Sequence, residues 1–111
     1  MSEAPGTYRR FKAERPDIAQ AYERLSALTV SDGPLTEREV RLVRLGIALG
    51  SRSPGAVKSA ARKAHDVGVT REELDHAAIL SLVNIGLSEA LGAVGDIRGL
   101  FVPVEAASRG T

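Results

Sequence analysis

The chain is punctuated by helix starts and stops at intervals that leave room for little besides helices. Thr36 with Glu39, and Thr70 with Glu73, both have the form of a capping box, in which the Thr hydroxyl and the Glu carboxylate each accept an otherwise orphaned first-turn N–H. Ser53-Pro54 is a further start, with Ser suited to the N-cap and Pro to the first helical residue. Gly50 and Gly68 stand where helices should stop, and Ser31-Asp32-Gly33-Pro34 is a dense turn signal.

Between these marks apolar residues recur at helical spacing. Ile18, Ala21, Tyr22, Leu25 and Leu28 lie on one face of a helix predicted over 16–28, with Tyr8 and Phe11 ahead of Pro16. The helix opened by Thr36 carries Val40, Leu42, Val43, Leu45, Ile47, Ala48 and Leu49 on more than one face, so it should be mostly buried. An alanine-rich helix follows to Val67. The helix opened by Thr70 is apolar on nearly every side until Asn84, and a last one runs over about 88–100. Such patterning predicts an all-α orthogonal or antiparallel bundle of about five to six helices. It forms one domain over 1–111 with its core at 11–101 and frayed ends, the last from Glu105. A helix that is apolar all round in so short a chain suggests cover by partner subunits, which predicts a homo-oligomer; a central helix inside a monomeric bundle is the alternative.

Composition excludes several kinds of chemistry. With no cysteine the chain has no disulfide, thiolate metal site or peroxidatic thiol. A formal charge of +1 gives no general attraction to nucleic acid or anionic membrane. Polar Ser2 and Glu3 follow Met1 without an apolar stretch, so the cytoplasm is the expected location. No apolar run approaches the roughly 20 residues that span a bilayer. No cofactor and no dedicated metal site is expected.

The order of these signals, and above all the run Ala64-x-x-x-Gly68-x-Thr70-x-Glu72-Glu73-Leu74 with an apolar helix behind it, resembles the carboxymuconolactone decarboxylase family, which includes the alkylhydroperoxidase D-like proteins. The resemblance covers about residues 11–101 and implies an all-helical homo-oligomer, commonly a trimer or hexamer. Redox members carry Cys-x-x-Cys-x-x-x-His ahead of the Gly-x-Thr turn. Counted back from Gly68, those positions are Ser53, Ala56 and Ala60. Decarboxylase members also use the histidine at the Ala60 position. A carboxylate that assists proton transfer in peroxidase members has its counterpart in Glu39 or, with a small offset, in Arg41. Thus the resemblance implies the fold, while the residues present exclude a thiol peroxidase.

Chemistry, if any, must use what remains. His76 is close to Glu72 and Glu73 at helical spacing, so it is a candidate general base or metal ligand, with Glu73 and Glu39 as further catalytic candidates for acid/base chemistry; a surface or subunit-contact histidine is the alternative. His65, near a helix C-terminus, suits a structural role. Arg38, Arg41 and Arg44 recur every third residue, as a solvated face or as part of a pocket for a carboxylate or phosphate. Ser53, Arg41 and Arg44 are the candidate ligand-binding residues. Two readings follow: a non-catalytic, oligomeric family member without thiol peroxidase activity, or a cofactor-independent acid/base enzyme or binder for a small anionic lactone or carboxylic acid. A third role, as an adaptor for another protein, stays open.

Overall fold

The computed structural model describes residues 6–102. The frayed ends expected from the sequence lie outside the described residues. Among the described residues there is no strand, and the chain forms seven helical segments: α1 (Gly6–Glu14), α2 (Pro16–Ser31), α3 (Glu37–Ser51), α4 (Pro54–Asp66), α5 (Arg71–Leu80), α6 (Leu82–Ile85) and α7 (Leu87–Gly99).

The capping residues act as their spacing predicts. Thr36 and Thr70 close full capping boxes with Glu39 and Glu73, and Ser53 caps α4 by accepting from the Ala56 N–H. Pro16 and Pro54 occupy the first turns of α2 and α4, where a missing N–H costs nothing.

Several boundaries differ from expectation, among them that of α2, which runs to Ser31 rather than Leu28. Helix α3 does not stop at Gly50 but runs to Ser51, and Arg52 takes the left-handed conformation, φ 58°, with its N–H on the Leu49 carbonyl. Pro16 is preceded by a helix of its own, α1, which folds back on α2 through a Tyr8 hydroxyl bond to Glu23 at 2.8 Å and a Lys12–Glu23 ion pair at 3.2 Å. The single helix expected after Thr70 breaks at Ser81, whose hydroxyl bonds back to the Ala78 carbonyl at 2.6 Å and competes with the helical ladder. Gly86 then turns the chain into α7 at φ 96°, ψ 156°, a conformation essentially confined to glycine.

The core lies among α3, α4, α5 and α7. Leu45, Leu49, Val57, Ala61, Ala64, Val69, Leu74, Ala78, Val94 and Ile97 are buried in one cluster. Its small residues let helices approach closely. α3 packs on α4, and α7 on both α4 and α5. The α1–α2 hairpin stands against this core with few contacts, tied to it by hydrogen bonds from Arg44 to Ser26 and Thr29. His65 closes the far end of α4: its Nδ1 is 3.1 Å from the Val69 carbonyl, its ring meets Phe101 edge-on at 4.9 Å, and the Arg71 guanidinium lies over the Phe101 ring at 4.7 Å.

Several helix faces remain apolar and uncovered. Ile47 is 68% exposed, Leu80 63% and Val83 87%, with Val43, Ile79, Leu87 and Leu91 also exposed. The helices expected to be buried are therefore buried on one side only within the single chain.

Candidate functional site

Helix α3 has a cavity on either side of it. The first, about 410 Å³, lies where α2, α3 and α4 meet. Each helix brings one stripe to it: Tyr22, Ser26 and Thr29 from α2, Arg41 and Arg44 from α3, and Ala56, Ala60 and Lys63 from α4. The spacings are i, i+4, i+7 on α2 and α4 and i, i+3 on α3, the rows that share a helix face.

The electrostatics of this cavity are one-sided. Among the described residues neither Arg41 nor Lys63 has a carboxylate partner, and no Asp or Glu lines the cavity. The Arg41 Nε is buried without a hydrogen-bond partner. Burial lowers the Lys63 pKa, and the nearby charges of Arg41, Arg44 and Arg62 lower it further. Arg44 is held in place by α2: its guanidinium donates to Ser26 Oγ at 3.2 Å and to Thr29 Oγ1, while the Thr29 hydroxyl donates to the Ser26 carbonyl. Three cationic side chains thus line one largely apolar-walled space with no carboxylate among the described residues to neutralise them. Such a site attracts an anion.

The second cavity, about 470 Å³, lies between α3 and the α5–α6 segment. Leu42, Leu49, Ala77, Leu80 and Ile85 make it mainly apolar, and His76, Glu73, Ser81 and Asn84 supply its polar groups. Gly46 and Gly50 form its floor on α3, and a Cβ at either would meet nothing within 4 Å. His76 is exposed at this cavity. Glu73 is already engaged: Oε1 accepts the Thr70 N–H at 2.9 Å and Oε2 takes the Arg38 guanidinium. The Thr70 backbone bond and Arg38 lower its pKa to about 2. It is therefore an anion at neutral pH and a weak base.

The remaining candidates lie apart. Glu39 accepts the Thr36 N–H at 2.8 Å, a bond that lowers its pKa, and it lines neither cavity. Ser53 lines a small cavity of about 80 Å³ near α7, its hydroxyl committed to capping α4. The six candidates thus do not converge on one site. Arg41 and Arg44 share one cavity, His76 and Glu73 share another, and α3 separates them. Nor do the three arginines form one stripe, since Arg38 turns to Glu73.

Lys63 was not among the candidates, and its spacing was the available signal. It follows Ala60 by three and Ala56 by seven, on the face where the resemblance places the second cysteine and the histidine of redox members. Among the described residues no group of three or more His, Asp or Glu could hold a metal ion. No helix of the described chain is long and apolar enough to cross a membrane.

No curated protein and no solved structure matches the chain. The model of the carboxymuconolactone decarboxylase family, however, matches residues 16–95, from the first turn of α2 into α7, and the chain belongs to that family.

Proposed function

We propose that this protein is a homo-oligomeric family member without thiol peroxidase activity, and that it holds a small anionic molecule in the cavity of Arg41, Arg44 and Lys63 without turning it over. The observation that carries this reading is the pairing of alanine at positions 56 and 60 with three unneutralised cations around the same space. Neither alanine has a nucleophilic or ionisable atom, so proton relay and disulfide exchange through those positions are impossible. The cations supply binding. Nothing in the cavity supplies a carboxylate or an imidazole to move a proton.

Homo-oligomerisation is supported by the exposed apolar faces of α3, α5 and α6, at Val43, Ile47, Leu80 and Val83. Large apolar side chains left exposed on several helices of one small domain are the kind of surface that protein–protein contacts cover. A trimer or hexamer is the assembly the family resemblance suggests.

The test is a thermal-shift titration with small organic anions against sodium chloride at matched ionic strength. The melting temperature of the wild type should rise with the anion, while Lys63→Gln should not respond. No shift with any anion in the wild type would overturn the reading.

A second reading has its own support. His76 beside the larger, mostly apolar cavity could act as a general base on a small lactone or carboxylic acid, a lyase-like activity independent of cofactors. Lactone turnover lost in His76→Ala but kept in Lys63→Gln would establish it in place of the first.

A further inference from the structure

We propose, building on the anion-binding reading above, that the occupant of the cavity between α2, α3 and α4 is a phosphomonoester dianion with a flat apolar body. Charge and geometry favour it over a monocarboxylate. A carboxylate brings one negative charge and two oxygens in a plane. A phosphomonoester brings nearly two charges and three acceptor oxygens around a tetrahedral centre, which separate donors can approach from different directions.

The cavity offers donors of that kind. Arg41 and Arg44 approach from α3 and Lys63 from α4, so the three charges come from two helices. The buried Arg41 Nε has no partner and needs an acceptor oxygen. Arg44 is positioned by the Ser26 and Thr29 hydroxyl oxygens, and the Ser26 hydroxyl proton is left to donate in turn. Burial first, and then the charges of Arg41, Arg44 and Arg62, lower the Lys63 pKa, and two entering negative charges relieve the repulsive part. For the body of the ligand, Tyr22 and Leu25 line the same cavity and are 63% and 60% exposed, a wall on which an aromatic ring can lie.

The experiment is calorimetric titration of the full chain with phenyl phosphate, benzoate and inorganic phosphate. Phenyl phosphate should bind about tenfold more tightly than either of the others, since each lacks one half of the recognition. Tyr22→Ala should weaken phenyl phosphate and leave inorganic phosphate unchanged. Arg41→Lys, which keeps the charge and loses the guanidinium fork, should weaken phenyl phosphate while circular dichroism shows an unchanged fold. Benzoate binding as tightly as phenyl phosphate would overturn the dianion assignment and leave the anion-binding reading standing. Inorganic phosphate binding as tightly as the aryl ester would overturn the apolar body. Binding of none of the three would overturn both readings together.

Discussion

At the scale of the residue, the same side-chain types do opposite work on the two sides of α3. The Glu73 carboxylate is saturated by the Thr70 N–H and Arg38, and its pKa falls from 4.5 to about 2. A carboxylate with a lowered folded-state pKa contributes stability that is present above its unfolded value and lost as pH falls toward the folded one. Unfolding free energy should therefore decline between about pH 4.5 and pH 2, and Glu73→Gln should flatten that part of the profile; a mutant slope equal to the wild type's would show that the bonds to Glu73 contribute nothing. Lys63 presents the reverse case. A cation whose pKa is lowered by burial and like charges destabilises the fold while it is protonated. Lys63→Gln should keep or raise the melting temperature, as expected of a group retained for binding rather than for stability. A clear loss of stability would mean that Lys63 is a structural cation.

At the scale of the element, capping made the helices legible. Thr70→Ala should cost about 1 kcal/mol in urea unfolding, the usual worth of an N-cap hydroxyl, and Thr36→Ala a similar amount. The core can be probed at Leu45, fully buried at the centre of the α3–α4 packing, where truncation to Ala should cost about 2–5 kcal/mol. Those starts were readable because Thr-x-x-Glu and Ser-Pro state their backbone bonds in the sequence itself. The stops were legible only in part: Gly68 takes a positive φ just beyond α4, as its position predicts, but α3 passes Gly50 because Arg52 can take the left-handed cap, and the break at Ser81 depends on a hydroxyl that could equally have pointed to solvent. For the site, periodicity placed Arg41 and Arg44 on a common face. It could not tell that Arg38, one turn earlier, faces Glu73 instead, because that depends on how α5 crosses α3. Nor could spacing alone show that His76 and Arg41 lie on opposite sides of α3.

At the scale of the whole molecule, the apolar surface of α3, α5 and α6 exceeds what one chain covers. Light scattering at micromolar concentration should give a mass several times the 11.7 kDa of the chain. Replacing Ile47 and Val83 together by Lys should lower that mass without loss of helical signal, since both side chains are mostly exposed in the single chain. A wild-type monomer would remove the assembly from the reading. On the proposed reading the division of labour is between an apolar exterior for subunit contact, a small-residue core that packs α3, α4, α5 and α7, and a cationic cavity in which alanines stand where redox relatives place their chemistry.

The central claim is that this cavity, and not the one beside His76, receives the ligand. A crystal structure of the protein soaked with a bromine-substituted aryl phosphate tests it most directly, because anomalous scattering from bromine locates the molecule independently of the protein. The expected result is a bromine peak near Tyr22 and Leu25, with the phosphate oxygens on Arg41, Arg44 and Lys63. A peak between α3 and α5, against His76 and Asn84, would contradict it and make the acid/base reading the leading one.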